Sequence, residues 1–220
     1  MIDRLCAYAT RHVLSTTHNF LFVHVPKTGG NSIQSVLAPY ADDAIVREKP
    51  LQDGVEDFGV RSTRFDTRKH STLAEYRAAY GQPLFQSLRK ACCVRNPWDR
   101  VVSHYFHRTR RFKSKRRADL LEFIRSPVAR PLEHYLAIEE GDTRDLGRAV
   151  SRLSCVIRYE HLQSDFDRAC DLIGLPHSVL PHRNRGLHRP YEEYYDEECR
   201  RAVAERFQSE IMLFGYHFGG

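Results

Sequence analysis

The chain has 220 residues, of which 41% are hydrophobic, so it can bury one sizeable core but would be crowded as two domains. Its 34 Lys and Arg residues against 28 Asp and Glu residues give a formal net charge of +6, which suits an anionic ligand. No DNA- or RNA-recognition motif accompanies this charge, and no run of about 18 apolar residues predicts a membrane span, so neither class of protein is expected.

The segment FLFVHVPKTGGNSI, residues 20–33, joins an apolar strand to a glycine turn and a helix. Pro26 removes a hydrogen-bond donor from the ladder, so the strand should end there. Gly29 and Gly30 have no Cβ and let backbone N–H groups converge on an anion at the start of the helix. A nucleotide-triphosphate P-loop needs its lysine after the glycines, whereas Lys27 precedes them. The segment therefore predicts a P-loop-like phosphate-binding turn, with an ordinary strand-to-helix turn as the alternative.

Residues 41–69 are polar with scattered Gly and Asp, so we expect an irregular insertion that shapes an acceptor cleft. Thr72 and Glu75 then fit a capping box, which predicts a helix start with His70 just outside it. The positive end of a helix disfavours imidazolium, so His70 should stay neutral, as a general base must. The alternative is that His70 is only a surface or capping residue. Other candidates for the base are Glu75, His24 and Asp66.

The segment ACCVRNPWDRVVSHYFH, residues 91–107, also predicts a strand followed by a turn and a helix. Arg95 ends the predicted strand, Pro97 suits a first helical turn, and Ser103 follows about two turns later. A guanidinium can bind two phosphate oxygens while a hydroxyl donates to a third, so Arg95 and Ser103 could hold a second phosphate. The alternative for Arg95 is a surface ion pair. Trp98 could stack on adenine or pack in the core, and its place in an amphipathic helix favours packing.

The run RTRRFKSKRRAD, residues 108–119, is the densest basic cluster. It could bind an anionic acceptor, but positive charge also complements the carboxyl end of the preceding helix. We therefore favour a solvated helix end and loop for this run.

The remaining elements predict an α/β fold in a single domain, residues 1–220, with a central parallel sheet flanked by helices. Strands are expected at 20–25, 90–94 and 155–158, each followed by a helical pattern. A helix over 162–173 should end at Gly174, and one further helix is marked by Val203, Phe207, Ile211 and Phe214.

The six cysteines show neither C-x-x-C nor Cys/His metal spacing, so reduced structural thiols and no metal site are expected. Cys92 and Cys93 are adjacent in a predicted strand, which should direct their side chains to opposite faces of the sheet.

Two motifs together resemble one enzyme family. PKTGGNS at 26–32 and VRNPWDRVVSHY at 94–105 are similar to the phosphosulfate loop and the 3′-phosphate motif of sulfotransferases that use 3′-phosphoadenosine 5′-phosphosulfate (PAPS). The resemblance is closest to the carbohydrate sulfotransferases and their bacterial relatives. It implies transfer of a sulfuryl group from PAPS to an acceptor hydroxyl, most simply of a carbohydrate, with 3′,5′-bisphosphoadenosine (PAP) as product and no metal.

The resemblance also implies roles for individual residues. Lys27 would stabilise the leaving phosphate oxygen, and His70 matches the region of a catalytic histidine in glycan-directed members. Nucleotide binding would fall to Lys27, Thr28, Gly29, Gly30, Asn31, Ser32, Arg95 and Ser103, with Arg183, Arg185 and Gly186 in a basic loop that closes over the nucleotide.

Two other functions remain open at this stage. One is a non-catalytic nucleotide- or glycan-binding protein of the same fold. The other is a phosphoryl-transfer enzyme, which the missing P-loop and the lack of an acidic magnesium-binding strand disfavour. The first 20 residues are too polar for a signal peptide, so we expect a cytoplasmic protein, or a Golgi-lumenal one if the sequence is part of a longer eukaryotic chain.

Overall fold

The structure is a computed structural model that describes residues 13–42, 44–49, 57–61, 65, 67–109, 117–181 and 189–220. Its strands are β1 (Val13–Ser15), β2 (Phe20–Val23), β3 (Ala44–Lys49), β4 (Asp57–Arg61), β5 (Arg89–Val94) and β6 (Cys155–Arg158). Its helices are α1 (Gly30–Leu37), α2 (Leu73–Tyr80), α3 (Gln82–Ser87), α4 (Pro97–Thr109), α5 (Arg117–Arg125), α6 (Glu133–Leu136), α7 (Leu146–Val150), α8 (Leu162–Ile173), α9 (Glu197–Arg206) and α10 (Gln208–Phe214).

The main sheet has the strand order β1-β2-β5-β6. Strands β2, β5 and β6 are parallel, with Phe22 opposite Ala91 and Cys92 opposite Val156. The predicted α/β fold with a parallel sheet is therefore confirmed. Strand β1 was not predicted; it pairs antiparallel with β2 at the edge of the sheet.

Both faces of the sheet are buried, as parallel sheets require. Cys92 packs in a cluster with Leu21, Val23 and Tyr76 on one face. Cys93 packs on the other face, in a cluster that contains Phe22, Ile33 and Phe166. The prediction that the two thiols face opposite sides is confirmed.

A third apolar cluster joins α4 and α5 to the last two helices. Trp98 lies in it at 4% exposure, and its indole Nε1 donates to the Arg200 carbonyl at 3.1 Å, so the packing interpretation of Trp98 is confirmed. The single helix predicted near the end of the chain is instead α9 and α10. They meet at Phe207, whose φ of −112° and ψ of 24° leave the helical region while its ring stays buried.

The segment expected to be irregular contains a second sheet, because β3 and β4 pair antiparallel within residues 44–61. Ile45, Val46, Phe58 and Val60 are the β-branched and aromatic residues that favour strands here. No helix within the described ranges is long and apolar enough to cross a membrane.

Candidate functional site

The carboxyl ends of β2, β5 and β6 lie at one edge of the sheet, where ligands bind in open α/β folds. The chain passes from β2 through a tight turn into α1, from β5 into α4, and from β6 into α8. This topology brings the two motifs predicted from sequence side by side. It also adds a third segment, which begins at Tyr159.

The turn after β2 is fixed by unusual backbone angles. Lys27 and Gly29 both have positive φ, at 67° and 86°, and Gly29 caps the amino end of α1. The Thr28 hydroxyl is fully buried and donates to the Val25 carbonyl at 2.9 Å, and Ser32 N donates to the Gly29 carbonyl at 3.0 Å. The Thr28 hydroxyl therefore helps to hold the turn.

Position 30 requires glycine because of the adjacent His24 ring and not because of its own dihedral angles. A Cβ at Gly30 would lie 2.4 Å from two ring atoms of His24, a distance that real Cβ atoms do not reach. The His24 ring is itself buried, at 3% exposure. Burial, followed by the charge of Lys69, holds the pKa of His24 well below its usual value, so this imidazole is neutral.

Arg95 joins the two sequence motifs. Its Nη1 donates to the Lys27 carbonyl at 3.0 Å, and its Nε donates to the Asp99 carboxylate at 2.7 Å. The guanidinium lies over the ring of Tyr159, 4.0 Å from its centroid. These contacts fix the guanidinium beside the turn and leave part of its five-donor capacity for a ligand.

Tyr159 was not predicted as a site residue. Its ring packs between Arg95 and the turn. The ring is so close to the turn that a Cβ at Gly29 would lie 3.0 Å from Tyr159 Cδ2. The tyrosine remains 37% exposed. Its position directly after β6 is the signal that could have identified it, since that strand ends at the same edge as β2 and β5.

The start of α4 is held by a carboxylate from the same third segment. Glu160 Oε1 accepts a hydrogen bond from Asn96 N at 2.7 Å, and Tyr216 donates its hydroxyl to Glu160 Oε2 at 3.2 Å. The Asn96 side chain caps α4 by accepting from Trp98 N at 3.1 Å. Ser103 lies in the middle of this helix and is half-buried.

His70 lies where the capping box places it. Thr72 Oγ1 accepts from Glu75 N at 3.1 Å and Glu75 Oε2 accepts from Thr72 N at 2.7 Å, so the predicted helix start is confirmed. His70 Nδ1 is 2.8 Å from the His24 carbonyl oxygen. Because a carbonyl can only accept, Nδ1 carries the proton, and Nε2 of a neutral His70 is the atom that can take up another.

A second lysine ties the His70 segment to the turn. Lys69 Nζ donates to Asn31 Oδ1 in the first turn of α1, and the rings of His24 and His70 are 4.8 Å apart in an edge-to-face arrangement. Glu75 is engaged in its capping box, whereas the rings of His24 and His70 lie together beside the turn. Lys69 had no predicted role, although it directly precedes His70.

Several predicted residues lie outside the described part of the chain. They are Arg183, Arg185 and Gly186 of the basic loop, the alternative base Asp66, and residues 110–116 of the basic run.

Comparisons with known proteins found one family and one solved structure. A family model described as the sulfotransferase family matches residues 10–217. A structure search matched the crystal structure of a sulfotransferase from Alicyclobacillus acidocaldarius at 19% identity and a TM-score of 0.33, over 60% of this chain and 56% of that one. The chain thus spans little more than half the length of that protein. No curated protein matched.

Proposed function

Because the chain belongs to the sulfotransferase family, we propose that it transfers a sulfuryl group from PAPS to a hydroxyl group, with a carbohydrate as the acceptor. One observation carries the proposal: Arg95 donates to the carbonyl of Lys27, while the Lys69–His70 segment contacts Asn31 and His24 at the other side of the same turn. These contacts support the proposal that two anion-binding groups and a proton acceptor act at one edge of the sheet.

The donor would be held at both of its phosphate groups. The positive amino end of α1 and the charge of Lys27 would suit the 5′-phosphosulfate. Arg95 and Ser103 suit the 3′-phosphate, since a guanidinium supplies directed donors to phosphate oxygens. We keep Arg183, Arg185 and Gly186 as residues that cover the bound nucleotide.

The transfer needs one proton acceptor and one stabilised leaving group. The acceptor oxygen attacks sulfur, the bond from sulfur to the 5′-phosphate oxygen breaks, and PAP leaves with that electron pair. His70 Nε2 takes the hydroxyl proton, because Nδ1 already holds its proton against the His24 carbonyl. Lys27 stabilises the negative charge that develops on the departing oxygen.

The first experiment measures transfer of labelled sulfate from PAPS to a panel of glycans, phenols, peptides and lipids. In parallel, PAP should raise the melting temperature through binding to the native state, and ATP with magnesium should raise it much less. Binding of PAP without transfer to any acceptor would favour a non-catalytic protein. Equal effects of PAP and ATP, or no effect of either, would contradict the donor.

His70→Asn separates binding from chemistry. This variant should bind PAP normally yet lose roughly a hundredfold in turnover, and the acidic limb of the pH–rate profile should disappear. His177→Asn is the matched control. His177 is exposed, lies beyond the carboxyl end of α8 and pairs with Asp171 in the last turn of that helix. Near-normal turnover of a folded, donor-saturated His70→Asn protein would exclude His70 as the base.

A further inference from the structure

Asn96 connects the start of α4 to the segment after α10, residues 216–220. Its side chain is buried, at 2% exposure, and its Nδ2 donates to the backbone oxygens of His217 and Gly220, both at 2.9 Å. Its Oδ1 accepts from Trp98 N and caps the helix. A helix cap needs only such an acceptor, which serine, threonine or aspartate would also provide. The two amide donors therefore serve a second contact, which holds the segment after α10 against this helix.

An aromatic cluster anchors the same segment. The ring of Phe218 lies edge-to-face against three other rings, with centroids 5.5–5.8 Å apart: Trp98, Tyr191 and Tyr195. The guanidinium of Arg200 lies over the Phe218 ring, 5.0 Å from its centroid. Aromatic pairs favour this edge-to-face geometry. Phe218 therefore gives the segment after α10 a defined position beside α4.

The guanidinium of Arg95 is held between α4 and the segment after β6. Asp99 on α4 accepts from its Nε at 2.7 Å, and the ring of Tyr159 lies 4.0 Å from its central carbon. Glu160, the residue after Tyr159, accepts a hydrogen bond from Asn96 N at 2.7 Å. Asn96 therefore joins the two elements that orient the guanidinium.

The segment after α10 contacts both of these elements. Glu160 Oε2 accepts from the Tyr216 hydroxyl at 3.2 Å. Burial, followed by the charge of Glu160, raises the pKa of Tyr216, so this hydroxyl keeps its proton and remains a donor. The segment is thus bonded to Asn96, which follows Arg95, and to Glu160, which follows Tyr159. A shift of the segment would move both supports of the guanidinium.

We propose that Asn96 is a positioning residue for donor binding: with Phe218 it holds the segment after α10 against the supports of Arg95 and thereby sets the affinity for the 3′-phosphate. This inference rests on the proposed sulfuryl transfer from PAPS and deepens it. Asn96 and Phe218 act through Arg95 and not on the nucleotide. A guanidinium binds two phosphate oxygens only when its planar fork is correctly directed, so a small displacement of its supports weakens this contact.

The test compares two nucleotides that differ by one phosphate group. PAP and adenosine 5′-monophosphate (AMP) share the adenine, the ribose and the 5′-phosphate. The ratio of their dissociation constants, measured by calorimetry, therefore reports the contact with the 3′-phosphate. The wild-type protein should bind PAP more tightly than AMP by about ten- to a hundredfold, the range for charge-assisted hydrogen bonds. A change that only destabilises the fold would not alter this ratio.

Two variants disturb the contact from opposite sides. Asn96→Ser keeps an oxygen that can cap α4 but removes both amide donors. Phe218→Ala removes the ring contacts and changes no residue of α4. Each variant should weaken PAP binding by about tenfold and leave the affinity for AMP unchanged. Met212→Ala is the control and should change neither affinity, because Met212 is 73% exposed on α10, just before the segment.

Arg95→Ala supplies the second comparison. Because Asn96 and Phe218 act through the guanidinium, neither variant should weaken PAP binding further in an Arg95→Ala background. A wild-type ratio of PAP to AMP affinity in either variant would overturn the inference. So would an equal loss of affinity for both nucleotides, or a full effect in the Arg95→Ala background. A wild-type protein that does not prefer PAP to AMP would instead reject the donor, and with it the proposed function itself.

Discussion

Replacing Gly30 by alanine tests the packing of the site most directly. The added Cβ would lie 2.4 Å from His24 Cδ2 and Nε2 and 3.1 Å from Cε1. Ordinary contacts between such atoms are about 3.5–4.0 Å, so the ring must move by roughly 1 Å or more. The space for this movement is small, because the ring is buried and lies edge-to-face with His70.

The expected destabilisation follows from overpacking. Forcing an extra methyl group into a packed site costs about 1–3 kcal/mol. For a chain of this size each kcal/mol lowers the melting temperature by about 2–4 °C, so Gly30→Ala should melt roughly 2–12 °C lower. Turnover should fall by more than PAP affinity, because the displaced ring supports His70.

A double-mutant cycle isolates the cause. His24→Ala removes the ring that the new methyl group meets, so the pair Gly30→Ala with His24→Ala should be more stable than the two single effects predict, by about 1 kcal/mol or more. Gly141→Ala is the control, since its Cβ would meet only the end of Arg148 at 3.4 Å. Wild-type stability of Gly30→Ala, or additive effects in the cycle, would refute the steric explanation.

Two further predictions concern charge. Arg95→Ala should weaken PAP binding, measured by calorimetry, by about ten- to a hundredfold. It should also lower the melting temperature, because the Arg95 guanidinium donates to the Lys27 carbonyl. An unchanged PAP affinity would show that Arg95 is not part of the donor site. The pKa of His104 is about 3 in the folded protein against 6.5 ordinarily, so unfolding takes up a proton between these values and the free energy of unfolding falls as the pH falls. The slope should reach about 1.4 kcal/mol per pH unit for this group, and urea melts of His104→Gln at several pH values should show a shallower slope; an identical slope would contradict a neutral buried His104.

Local signals were sufficient to predict most of the architecture. Apolar runs predicted β2, β5 and β6, the Thr72–Glu75 capping box predicted the start of α2, and α8 ends at Gly174 in the left-handed conformation. Each of these features depends on residues close together in sequence. They were therefore readable without knowing what packs against them.

The features missed depend on contacts between distant segments. Gly30 was assigned to a turn that lets backbone N–H groups converge, but the sequence did not predict that the His24 ring leaves no room for a Cβ there. The hydrogen bond from the Thr28 hydroxyl to the Val25 carbonyl, which closes the turn, was not predicted either. Tyr159 becomes a site residue only when β6 is placed beside β5, since only then does its ring reach Arg95. The roles of Lys27, His70 and Ser103 remain predictions.

Trp98 is an intrinsic fluorescence probe for one part of the fold. It is the single tryptophan, and its indole is shared between the Arg200 carbonyl on α9 and the edge of Phe218 at 5.8 Å. Tryptophan fluorescence will therefore report the separation of α4 from α9 and from the segment after α10. It will change little when only the sheet unfolds. Circular dichroism follows the whole backbone, so a fluorescence transition that precedes it would reveal that the helical layer around α4 detaches before the sheet unfolds.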